Sequence, residues 1–142
     1  MKLIKPSFEI IEQQSGLEGI YKQIEQAGRT CYKSEDKITE DSAKGFVDRM
    51  IKSGHGAMLE HGTVYLSIPY NEAYSLLPDT NWVIDSYGKN PYSIIRLHGP
   101  YFYVTTNYRV LVENGWLDDL KYLCEPTEFH EKRITVHFVC DR

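Results

Sequence analysis

The sequence predicts an α/β fold of the α+β kind: a mixed or antiparallel sheet flanked by helices. Three observations carry this. Ala43, Phe46, Val47, Met50 and Ile51 recur at the three- and four-residue spacing of a helix face. Residues 63–68 and 133–140 alternate apolar and polar side chains, the period of a half-buried strand. With 142 residues, of which 42% are apolar, the chain has the material for a core of its own.

Taken in order, residues 8–12 suggest a short strand, and Leu17, Ile20, Ile24 and Ala27 then form a helical stripe. Thr39, followed by Glu40 and Asp41, supplies an N-cap with acids in the first turn of the 43–51 helix. Gly54 ends that helix. The next strand, 63–68, sets Val64, Leu66 and Ile68 on one face and stops at Pro69. A tyrosine-rich stretch over about 70–132 follows. It suggests a helix over 71–77, strands over 93–97 and 101–105 joined by Gly99-Pro100, and helical segments over 108–113 and 116–123. This stretch is expected to be an insertion packed on the main sheet. In the closing strand Ile134, Val136, Phe138 and Cys140 share one face, with Arg133, Thr135 and His137 on the other.

The charge balance, 16 Lys and Arg against 20 Asp and Glu, gives a net charge of −4. That argues against a duplex nucleic acid partner, which needs many cations against phosphates. Without a long apolar run the sequence has no spanning helix or signal peptide, so a soluble, cytoplasmic protein with no membrane partner is expected. Neither a Gly-rich phosphate loop nor a G-x-S-x-G elbow occurs. Cys31, Cys124 and Cys140 lack paired spacing and are expected to be buried, reduced thiols, with Cys31 lining a pocket as the alternative.

The densest chemistry lies in Ser53-Gly54-His55-Gly56-Ala57-Met58-Leu59-Glu60-His61-Gly62. His55 and His61 are six apart, about 240° around a helix, so one helix cannot aim both at a metal, and no metal site is expected. His55 between two glycines is a candidate exposed, planar, polar contact; the plainer alternative makes Gly54 a helix cap and His55 a surface residue. His61 is expected to bond neighbouring backbone. After an aromatic strand, residues 105–109 could reach an anionic ligand, although Thr106 or Asn107 also suits a helix N-cap.

Ala27-Gly28-Arg29-Thr30-Cys31-Tyr32, the helix ending Ser53-Gly54-His55, the cluster through His61, and the closing strand 134–142 together resemble the N-terminal half of the flavin-dependent thymidylate synthases, the ThyX family. The resemblance covers residues 1–69 and 133–142, with an insertion at about 70–132. It implies a ThyX-like α/β fold and an enzyme that methylates dUMP to dTMP, with methylenetetrahydrofolate as carbon donor, FAD as hydride carrier and NADPH as reductant. It also implies a homotetramer with FAD at subunit interfaces. By this likeness His55 is the catalytic candidate, orienting flavin and nucleotide, and His55, Ala57, Glu60 and Cys31 are cofactor-binding positions. Ala57 stands where shorter members have a threonine, and Cys31 where they have a serine, so two side-chain hydrogen bonds to FAD are weakened or lost. The family's R-H-R-x7-S signature does not occur in the 142 residues. The expectation is therefore an N-terminal part of such an enzyme, truncated before the signature helix and inactive alone. A non-catalytic binding or assembly module derived from the same fold is the alternative, and a metal hydrolase using His55, His61 and His137 a third.

Overall fold

The computed structural model describes residues 4–74 and 79–140, and the architecture is α+β with two antiparallel sheets. Strand β1 (Ser7–Ile11) is followed by helix α1 (Gly16–Cys31), α2 (Ser42–Lys52) and the single turn α3 (Gly56–Leu59). Strand β2 (Thr63–Pro69) enters the sheet, α4 (Trp82–Ser86) is a short helix, and β3 (Ile94–His98) and β4 (Tyr101–Asn107) form a hairpin. Helix α5 (Tyr108–Asn114) and the closing strand β5 (Thr135–Val139) complete the order.

The main sheet runs β2-β4-β3, while β1 and β5 pair only with each other as a separate ribbon. Residues 70–132 therefore do not lie on a sheet built elsewhere. They supply two of its three strands, with β4 central because both of its edges find partners. Val64, Leu66 and Ile68 of β2 are fully buried against Ile20, Ile24, Phe46 and Val47 of the helices, as their alternation predicts. Among the described residues no helix is long and apolar enough to cross a membrane.

Several expectations need correction. Helix α2 starts at Ser42, not after Thr39. Thr39 N–H donates to the Ser42 hydroxyl at 2.8 Å, and that hydroxyl also donates to the buried Glu25 carboxylate at 2.8 Å. The turn is thus fastened from inside the helix, so its first turn begins later. Residues 116–123 form a 3-10 turn over Leu117–Tyr122, and Tyr70–Glu72 form another. Of the expected 71–77 helix, Ala73 and Tyr74 are not helical, and residues 75–77 lie outside the described residues. Cys31 and Cys140 are exposed and only Cys124 is partly covered, so burial is not the common property of the cysteines. The apolar face of β5 is not half-buried either: Ile134 is 71% and Phe138 70% exposed.

Candidate functional site

The end of α2 builds the site. Gly54 takes φ +74°, a left-handed conformation that costs a residue with a Cβ and suits glycine. Its N–H donates to the Ile51 carbonyl at 3.1 Å, and the His55 N–H donates to the Met50 carbonyl at 2.9 Å. These two bonds satisfy carbonyls that the last helical turn leaves open. The cap and the functional candidate are thus one feature: Gly54 is a helix cap, and capping is what turns His55 outward.

The second glycine has a different task. A Cβ at Gly56 would lie 2.9 Å from Arg109 Nε, so glycine is what lets the Arg109 side chain lie over α3. Arg109 donates to Glu60 through Nη1 and to Glu113 through Nε at 2.6 Å. Two carboxylates on one guanidinium raise its already high pKa, hydrogen bonds first and burial opposing. A hollow of about 110 Å³, lined by Glu60, Tyr92, Asn107, Arg109, Val110 and Glu113, opens beside this triad. Asn107, not Thr106, is the N-cap of α5: its side chain accepts from Val110 N–H at 3.1 Å.

His55 is exposed, and its Nδ1 stands 2.9 Å from the hydroxyl of Tyr32, 23 residues earlier and one past the end of α1. The two rings lie 25° from parallel with centroids 6.4 Å apart, a separation that places the hydroxyl between them and sets the rings edge to edge. The pair makes a flat, polar-edged shelf with open faces. Cys31 is exposed immediately beside Tyr32. The structure therefore places His55 beside Tyr32 through a hydrogen bond and Cys31 beside it in sequence, and ties Glu60 to Arg109. Ala57 is exposed on α3, and its methyl offers no hydrogen bond.

His61 is exposed, and among the described residues its ring has no hydrogen-bond partner, contrary to the expected bond to backbone. The glycine turn at Gly62 carries the chain into β2 without needing it. His137 Nδ1 lies 3.1 Å from Glu9 across the ribbon. No group of three or more His, Cys, Asp or Glu that could hold a metal occurs among the described residues.

Sequence reasoning missed two features. Tyr32 stood next to a candidate but was not itself one; only its adjacency to Cys31 hinted at it. The pairing of Cys124 with His130, six residues apart, carried no periodic signal. There the Cys124 sulfur lies 3.8 Å from His130 Nε2 and 3.6 Å from the Tyr65 carbonyl, and burial first, then Glu125, pushes the thiol up to about 11. Such a thiol stays protonated near neutrality, so the pair is structural and not a nucleophile with its base. Cys124 also borders a cavity of about 320 Å³ between the β1–β5 ribbon and the start of α1, which none of His55, Ala57, Glu60 or Cys31 lines. Comparison with protein-family models, curated proteins and solved structures finds no match to this chain.

Proposed function

We propose that the chain is the flavin-handling part of a flavin-dependent thymidylate synthase of the ThyX family, methylating dUMP to dTMP with methylenetetrahydrofolate as carbon donor and NADPH as reductant. The observation that carries the proposal is the shelf of Tyr32 and His55, to which Gly54 brings the imidazole. Two of the segments on which the family resemblance rests meet there, although 23 residues separate them. Flat aromatic faces with a polar edge suit a planar heterocycle, which gains by stacking on a face or by one directed hydrogen bond at the edge.

The fit to FAD is uneven along the cofactor. Tyr32 and His55 suit the isoalloxazine ring, which supplies the hydride chemistry when bound. The diphosphate gains little from Arg109, because Glu60 and Glu113 already hold that guanidinium. Within this chain, then, the residues of the shelf orient a ring and nothing more. A homotetramer that places flavin between subunits, in the cytoplasm, belongs to the same proposal. No Arg-His-Arg sequence occurs in the chain, so turnover by this polypeptide alone is not expected.

A non-catalytic binding module on the same fold is the second reading. The double carboxylate clamp on Arg109 favours it, since that arginine is then not free to fork onto a nucleotide phosphate. Titrating the purified chain with FAD tests both. Flavin fluorescence should quench, riboflavin should compete, and His55→Ala should weaken binding roughly tenfold, the effect of one lost contact of about 1.4 kcal/mol. A bound-flavin spectrum that dUMP then shifts supports the enzyme, and one blind to dUMP supports the module. Absence of quenching, or quenching that His55→Ala leaves intact, overturns the flavin site.

A further inference from the structure

We propose that Tyr32 is a positioning residue that fixes the tautomer of His55: its hydroxyl donates to Nδ1, so that Nε2 keeps the ring proton and presents it outward to an in-plane acceptor on the ligand. The inference rests on the reading of His55 as ligand-facing, but its first test needs no ligand.

The geometry allows two arrangements over the 2.9 Å gap, O–H to Nδ1 or Nδ1–H to oxygen. Acid–base matching selects the first. A phenol O–H is a better donor than a neutral imidazole N–H, and the bare imidazole nitrogen is a better acceptor than a phenol oxygen. The ring planes lie 25° from parallel with centroids 6.4 Å apart, so the 2.9 Å bond joins the two rings at their edges. With Nδ1 occupied, Nε2 is left as the free edge of the ring, and among the described residues it has no partner. Backbone holds the other end of each residue. The His55 N–H is tied to Met50, and Tyr32 N–H to the Gly28 carbonyl at 3.0 Å, so the two rings meet from anchored stems. The hydrogen bond therefore sets both the ring's rotation and which nitrogen carries the proton, and a partner on one ring nitrogen is how the other edge of a histidine is aimed. The ligand class that follows is a planar heterocycle bearing a ring nitrogen or carbonyl acceptor at its edge.

The experiment compares the full chain with its Tyr32→Phe variant by ring nitrogen-15 shifts of His55, recorded where the spectrum shows the neutral ring. Because Tyr32 is 48% exposed, the variant should fold as the parent does, and an unchanged thermal midpoint checks this. The expected result is one Nε2–H tautomer in the parent and a mixture in Tyr32→Phe. A mixture in both, or an Nδ1–H tautomer in the parent, overturns the proposal. Riboflavin affinity is then measured on both proteins, and the variant should bind about three- to tenfold more weakly, the worth of one ordinary hydrogen bond. If neither protein binds riboflavin while the tautomer still depends on Tyr32, the flavin reading fails and the positioning role stands. If both bind it equally, the positioning role in ligand recognition fails while the flavin reading stands.

Discussion

The His130 imidazole is only 4% exposed, and both of its nitrogens are engaged. Thr127 N–H donates to Nδ1 at 3.0 Å, which leaves Nε2 to donate to the Leu66 carbonyl at 3.0 Å. The rings of Tyr65 and Tyr103 stand edge-on to it at 5.3 and 5.2 Å. A proton added at Nδ1 would face the Thr127 N–H, so the imidazolium is disfavoured, and burial holds the pKa below its ordinary value despite the Leu66 bond. The unfolded chain then takes up the proton first. As pH falls through about 6.5 the native state loses stability, and the loss ends only below the depressed folded value. Denaturant titrations at about pH 7.5 and 5.5 should show a lower midpoint at the acidic end, with a shallower pH dependence in His130→Gln. An identical pH dependence in the two proteins would assign the effect elsewhere. His55, by contrast, is exposed and has one edge free, which is the difference between a histidine that closes a core and one that can meet a ligand.

At the scale of the element, helix α1 crosses α2 at Gly28, where an added Cβ would sit 2.4 Å from Phe46 Cζ. Phe46 cannot retreat freely, since it is 3% exposed and the Arg29 guanidinium lies 4.9 Å from its ring centroid. Gly28→Ala should therefore cost about 1–3 kcal/mol by overpacking. Gly45, exposed in the interior of α2, meets only the Arg49 side chain at 3.5 Å, an ordinary contact. There the same substitution should stabilise by roughly 0.5–1 kcal/mol through helix propensity. Opposite shifts of the denaturation midpoint check the pair, and shifts of one sign would show that propensity or packing alone governs both. This contrast also marks what the sequence made legible. Helix faces and the β2 alternation were legible because burial imposes a period on neighbouring residues. Gly54 as a cap was legible from a local rule, and it brought the correct exposure of His55 with it. The Gly28 contact, the Glu9–His137 pairing across 128 residues and the clamp of Arg109 by Glu60 were not, because each depends on which segments meet in space. The tyrosine-rich residues 70–132 were expected as an insertion on the main sheet, and their role as two of its strands depended on pairing that composition does not encode.

Across the whole molecule, stability should be distributed unevenly between the two sheets. The main sheet has β4 bonded on both edges and Val64, Leu66, Ile68, Phe102 and Val104 in the core. The β1–β5 ribbon has only its own two strands, and a two-stranded pair without a covered face is marginal in water. Its cross-strand pair Phe8 and Phe138, ring centroids 6.1 Å apart, is about two-thirds exposed on both sides. Ile10 at 56% and Ile134 at 71% extend the same apolar face. With so little area removed from water there, opening the ribbon forfeits little hydrophobic free energy, whereas opening β4 exposes the core. Native-state hydrogen exchange should therefore show ribbon amides exchanging before those of β2 and β4, at a free energy well below that of global unfolding. Phe138→Thr should change the global denaturation midpoint by less than the equivalent of about 1 kcal/mol, because most of that ring is already in water. Ribbon amides as slow as those of β4 would contradict the argument and mean that the Phe8–Phe138 face is covered in solution.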